Sequence, residues 1–280
     1  MPSSDVSRLA GSGQEAFESI DPRFGIYAHS SFAGCLAEQG YDWIELAVAE
    51  LRPDQPDSAA RPDLDRLALL PIKPEVFDRL FLPHQRLVGE DVDLGRIAAH
   101  LRATFERAKR LGGEWVVWGS GPSRHVERGF ARERAYEQIV EAGRLIAREA
   151  EAAGIGVVVE PLGRRYCNIV NTVDDGLRLI ADVGSPALGL LADTDHLESE
   201  GDSFARLADV AHRLKHVHLA EATRVQPGPM PGRRAFYTSL FAELKRLQYR
   251  GRIALEADVV DLGQPLGGVL ATFREWYREA

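Results

Sequence analysis

A run of β-branched residues that stops at an acid constrains this chain more than any other feature. In residues 154–168, GIGVVVEPLGRRYCN, the apolar residues Ile155, Val157, Val158 and Val159 give way to Glu160 and then Pro161. Apolar runs bounded by Gly and Pro form strands buried on both faces, as in parallel sheets. A carboxylate ending such a strand is costly to bury unless it is paired or bound to a metal. The next three strand-like segments repeat the pattern: PALGLLAD ends at Asp193, LKHVHLAE carries His218 and GRIALEAD carries Glu256. Any one of these could be a solvated residue where a strand meets a loop, but four in succession weaken that reading.

The rest of the chain supplies the alternation that such strands need. Strands are expected at 24–29, 42–46, 74–81, 114–121, in the run ending at Glu160, and at 187–193, 214–220 and 252–256. Helices are expected at 32–39, 63–70, from Asp93 to the stop at Gly112, and at 131–153, 172–183, 203–213 and 234–247. A last helix ends at Tyr277. Strict strand–helix alternation implies a parallel sheet, and eight repeats imply closure into a single (β/α)8 TIM barrel. The catalytic domain is therefore assigned to 22–280, with 1–21 as an N-terminal tail, partly disordered. Neither GxGxxG opening a first helix nor GxxxxGK[ST] occurs, so the chain lacks the signatures of a dinucleotide or P-loop fold. In a barrel the active site lies at the C-terminal ends of the strands, where these four residues fall.

Charge and cysteine usage narrow the partners. With 34 Lys plus Arg against 42 Asp plus Glu, the net charge of −8 offers no field for nucleic acid or an anionic membrane. A small, weakly charged substrate fits better. Cys35 and Cys167 lie in different elements without metal-ligand spacing, so a reducing, cytoplasmic setting is expected. No apolar run approaches the roughly 20 residues of a membrane span, and no signal peptide is recognisable at the start.

Three carboxylates (Glu160, Asp193 and Glu256) with one imidazole (His218) form an oxygen-rich ligand set. It suits one six-coordinate divalent metal ion, Mn²⁺ first, with Mg²⁺, Co²⁺ or Zn²⁺ also fitting. Two coordination positions would remain for vicinal oxygens of a sugar. His196 follows Asp193 by three residues and Arg224 follows His218 by six, a second tier around the same point. His216 faces the same way as His218 and reads as a packed, hydrogen-bonded core residue.

On these residues, Glu160-Pro161-Leu162, Asp193-Thr194-x-His196, His216-x-His218 with Arg224, and IALE ending at Glu256, the chain resembles the sugar isomerase/epimerase superfamily of xylose isomerase-like TIM barrels. D-tagatose and D-allulose 3-epimerases are its best-known members. The resemblance covers most of 24–280 and is strongest from Val157 onward. It implies that Glu160, Asp193, His218 and Glu256 hold one metal ion, and that Glu160 and Glu256 are acid and base on opposite faces of the sugar. It also implies that His196 and Arg224 bind substrate oxygens. Where the family often carries Asn and then Glu after this motif, the chain has Gly163 and Tyr166, which leaves the sugar more open than the reaction. Tyr166, Trp118, His84 and His125 are further pocket candidates. The resemblance allows a homodimer. An inosose-type dehydratase uses similar parts. An AP endonuclease-like nuclease shares the barrel but needs further His and Asp ligands, and the sequence after Arg224 has none in the expected pattern. A metal-free sugar-binding barrel would be free to lose ligands, and all four are present.

Overall fold

The computed structural model describes residues 22–223, 232–257 and 266–280; the tail expected at 1–21 and the loop residue Arg224 lie outside them. Eight parallel strands close into a barrel in chain order: β1 (Phe24–Tyr27), β2 (Trp43–Ala47), β3 (Pro74–Asp78), β4 (Trp115–Trp118), β5 (Gly156–Val159), β6 (Leu188–Asp193), β7 (Leu214–Leu219) and β8 (Arg252–Leu255). Closure is direct, since Gly25 of β1 pairs with both Trp43 of β2 and Ala254 of β8.

The helices between and after the strands are α1 (Ala33–Glu38), α2 (Asp57–Ala68), α3 (Leu94–Arg110), α4 (Gly121–Arg124), α5 (Arg132–Ala153), α6 (Val173–Val183), α7 (Thr194–Glu200), α8 (Leu207–Val210), α9 (Arg233–Arg246) and α10 (Leu266–Glu279). Local chemistry starts them where the chain turns. The Asp93 side chain accepts the Arg96 N–H to open α3, and Thr172 with Asp175 forms a reciprocal capping box on α6. Among the described residues no helix is long and apolar enough to cross a membrane.

Four elements differ from the sequence expectation. The helix expected at 63–70 starts six residues earlier, at Asp57, and runs through Pro62. Pro62 forfeits a bond to the carbonyl of Ser58, but both residues are exposed, so water satisfies that oxygen. The helix expected at 203–213 is a 3₁₀ turn, Phe204–Arg206, followed by the single turn of α8. The short helices α4 and α7, one turn and two turns long, follow β4 after two residues and β6 directly, and carry too little periodicity to be read from sequence.

Alternation along the strands sorts side chains into the lumen and the outer helix layer. Trp43, Val76, Val117, Val158, Leu191 and Ala254 pack together as an apolar plug inside the barrel. The Trp43 ring lies over Gly25, where a Cβ would collide with it. Two residues further along each strand the same inward direction recurs. It places Glu45, Asp78, Gly119, Glu160, Asp193 and Glu256 in one tier above the plug, and His218 joins them from β7.

Candidate metal centre and active site

Four of the tier's side chains converge. Glu160, Asp193, His218 and Glu256 are buried, and each offers a ligand atom within 4.8 Å of the others. Nδ1 of His218 sits 3.3 Å from Glu256 Oε2, 3.6 Å from Glu160 Oε1 and 3.9 Å from Asp193 Oδ2. That nitrogen is fully buried and makes no hydrogen bond. Oxygen ligands of divalent metals lie at about 2.0–2.6 Å, so ligand atoms around one ion stand up to roughly twice that distance apart. Both the spacing and the donor set fit a hard or borderline divalent cation.

Three of the four ligand candidates are held from behind. The Glu160 carbonyl accepts a hydrogen bond from Nη2 of the buried Arg124 at 2.8 Å, and Arg124 in turn stacks toward the Trp118 ring. Gly119 leaves the space the Glu160 carboxylate occupies, because a Cβ there would overlap Glu160 Oε2. Asp193 caps α7, its Oδ1 accepting the N–H groups of Asp195 at 2.7 Å and His196 at 3.0 Å. On the far side of the lumen, Glu45 accepts from Nε2 of both His216 (2.9 Å) and His218 (3.1 Å).

The charges follow from this crowding. Burial opposes the ionised form of Glu45, but the two imidazoles override it and bring its carboxyl down to about 2. Burial likewise disfavours a charged His218, yet Glu45 and Glu256 hold its pKa well above the ordinary histidine value, so the metal-free site keeps a proton there. Asp78 is pushed well above the carboxylate range, first by burial and then by the charges of Glu256, Glu45 and Glu160. A cation entering the tier would relieve this repulsion and displace the His218 proton.

Of the substrate-binding candidates, the structure brings two to the centre. His196 Nε2 is 3.7 Å from Glu160 Oε1, and Tyr166, partly exposed above it, meets the His196 ring edge-on at 5.3 Å between centroids. Trp118 is corrected: it belongs to the outer core, fully buried, with its ring beside Gly143 of α5. The inward residue of β4 is its neighbour Val117. His84 lines a separate cavity with Asp91 and His100 against α3, and His125 is exposed at the end of α4. Glu45 and Asp78 were not singled out from sequence: PEVFD ends a strand in an acid as VVVE does, but Glu45 sits inside the strand Trp43–Ala47 and carries no such terminal signal.

A cavity of about 540 Å³ opens at the same end of the barrel, lined by Tyr27, His29, Glu50, Arg79 and Ala257 among others. Ala257 directly follows Glu256. The Arg79 guanidinium lies 5.1 Å from the centre of the Tyr27 ring. Polar and aromatic walls of this kind suit a polyhydroxylated ligand.

Comparison with known proteins places this geometry in context. The family model described as "Xylose isomerase-like TIM barrel" matches residues 35–280. The L-ribulose 3-epimerase of Methylomonas sp. (strain DH-1) is 27% identical over 259 residues, 90% of this chain and 86% of that protein. The 3-dehydro-D-guloside 4-epimerase of Escherichia coli (strain K12) is 30% identical over 188 residues, 64% of this chain and 67% of that one. The crystal structure of 3-keto-D-glucoside 4-epimerase from E. coli, in its apo form, superposes with a TM-score of 0.74 at 18% identity. It covers 91% of this chain and 99% of that one.

Proposed function

The chain belongs to the xylose isomerase-like TIM barrel family, and from that premise we propose that it is a divalent-metal-dependent epimerase of keto-sugars. One observation carries the reading: Glu160, Asp193, His218 and Glu256, from four consecutive strands, offer ligand atoms within 4.8 Å of one another in a buried tier. The relatives support the reaction class. The names L-ribulose 3-epimerase and 3-dehydro-D-guloside 4-epimerase both describe inversion at the carbon next to a carbonyl.

The residues divide the work. Glu160 and Glu256 project into the lumen from β5 and β8, and in this reading one removes the proton beside the carbonyl while the other delivers a proton to the opposite face. His196, beside Glu160, donates to a substrate oxygen near the reacting carbon, and Tyr166 covers it from the solvent side. Arg224 is assigned to a substrate oxygen as well. A divalent metal, Mn²⁺ in our reading, would be held by Glu160, Asp193, His218 and Glu256 and would supply Lewis-acid polarisation of the substrate carbonyl. Burial of the tier keeps bulk water from the reacting carbon.

The test is a panel of ketoses, keto-glycosides and inososes incubated with Mn²⁺-loaded enzyme and followed by NMR. Inversion beside a carbonyl is the expected result. Loss of water to give an unsaturated ketone would move the assignment to a dehydratase, and no turnover across the panel would overturn the substrate class.

A further inference from the structure

We propose that Glu45 is a positioning residue for the metal centre: it grips the Nε2–H of His218 across the barrel lumen so that Nδ1 is the ring atom presented to Glu160, Asp193 and Glu256. The inference rests on the metal centre of the proposed function and adds a residue to it.

Strands β2 and β7 are not neighbours; β8 and β1 lie between them. Glu45 therefore reaches through the lumen, and both of its carboxylate oxygens lie within hydrogen-bond range of His218 Nε2, at 3.1 and 3.2 Å. A carboxylate only accepts, so the imidazole must donate, which assigns the proton to Nε2 whenever Nδ1 is used as a ligand. Nδ1 is then the atom with no hydrogen bond, turned toward the other three ligands.

Glu45 is itself fixed. His216 Nε2 meets its Oε2 at 2.9 Å, and His216 Nδ1 lies 3.1 Å from the Arg252 carbonyl, so the second histidine of the His-x-His pair anchors the acid that orients the first. The two imidazoles stand nearly perpendicular, 4.6 Å between centroids, and Glu45, His216 and His218 are all fully buried. No rotation of His218 that exchanges its nitrogens is possible without leaving a buried carboxylate half-satisfied. This role accounts for a fully buried carboxylate deep in the lumen, where an unpartnered one would be costly.

The grip is tested without substrate. In ¹⁵N-histidine-labelled protein loaded with Zn²⁺, the proton of His218 should be found on Nε2, with Nδ1 shifted by coordination. Glu45→Gln should retain the fold by circular dichroism and bind Mn²⁺ about 10–100-fold more weakly, the usual loss when the partner of a ligating histidine is removed. Equal Mn²⁺ affinity in Glu45→Gln, or a Zn²⁺-loaded wild type with the proton on Nδ1, would overturn the proposal while leaving the metal centre standing. Should Glu45→Gln fail to fold, the wild-type proton position decides alone. Wild-type protein that binds no Mn²⁺ would overturn the metal centre itself, a different result from the other two.

Discussion

Asp193 and His196 are coupled through a single carboxylate: Oδ1 of Asp193 accepts the His196 backbone N–H at 3.0 Å, while Oδ2 faces His218. The same side chain therefore opens α7, which carries His196, and supplies one edge of the ligand cluster. These two jobs are separable by substitution. Asp193→Asn keeps an oxygen for the cap and should leave stability near that of the parent, yet weaken Mn²⁺ binding by more than tenfold. Asp193→Ala should lose both, with a further stability cost of about 1 kcal/mol for the missing cap. Urea unfolding of the metal-free proteins, set beside Mn²⁺ titrations, checks the separation; an Asp193→Asn protein that cannot be expressed in folded form would show that the acid is structural.

Gly119 has no function of its own to lose, and that makes it informative. Its missing side chain is the space in which the Glu160 carboxylate sits. Gly119→Ala should displace that carboxylate and not the strand, because the obstructed atom is the end of a side chain. Turnover should fall by at least about 10²-fold, the loss expected when a general acid–base group is misplaced, with Tm little changed. Activity near that of the parent would mean that Glu160 does not act from this position.

Much of this was legible in residues 154–256, and the reason is periodicity. Each apolar run is buried on both faces, so its polar terminus stands out, and consecutive strands in a barrel bring consecutive termini together. Asp78 ends β3 and Glu45 lies inside β2, where Leu46 and Ala47 continue the strand, and the two strands are irregular neighbours: the β2–β3 pairing shifts register between Ile44 and Glu45. Which face each acid takes follows only from the assembled pairing. Trp118 shows the other limit. Moving one residue along a strand exchanges lumen for helix layer, so Val117 and Trp118 are adjacent in sequence and on opposite sides of the sheet. Nothing in EWVVWGSG distinguishes the two directions.

The placement of Trp118 is itself testable. Trp118→Ala should destabilise the protein by about 3–5 kcal/mol, the range for emptying a large aromatic from a core, and Trp118→Phe should leave KM for the identified substrate unchanged. A folded Trp118→Phe enzyme with a raised KM would put the indole back in the substrate pocket.

Acid should act on the metal-free protein through Glu45. Its carboxyl titrates at about 2 in the folded chain against an ordinary 4.5. A depressed carboxyl stabilises the fold above the unfolded value, and the contribution is lost as pH falls through the folded one. The stabilisation that Glu45 gives the metal-free parent over Glu45→Gln should therefore shrink as pH falls between about 4.5 and 2. A difference unaltered across that window would mean that Glu45 is not held ionised by the two imidazoles.

Solvent exchange distinguishes the proposed mechanism from a hydride shift. Glu160 and Glu256 are nearly buried but keep 5% and 8% exposure, so the glutamate that delivers a proton to the opposite face can have taken it from water, and the one that removed the substrate's proton can release it to water after turnover. Turnover in D₂O should therefore place deuterium at the epimerised carbon. A hydride would travel within the substrate and carry no label in. The two glutamates should also be unequal partners in the two directions: Glu160→Gln and Glu256→Gln each slow epimerisation by at least about 10²-fold, but the variant that retains the abstracting glutamate should still exchange the substrate's own proton for deuterium without inverting it. Unlabelled product from the parent enzyme, or near-normal epimerisation by either variant, would rule out two-base proton transfer and leave the metal centre in need of another reaction.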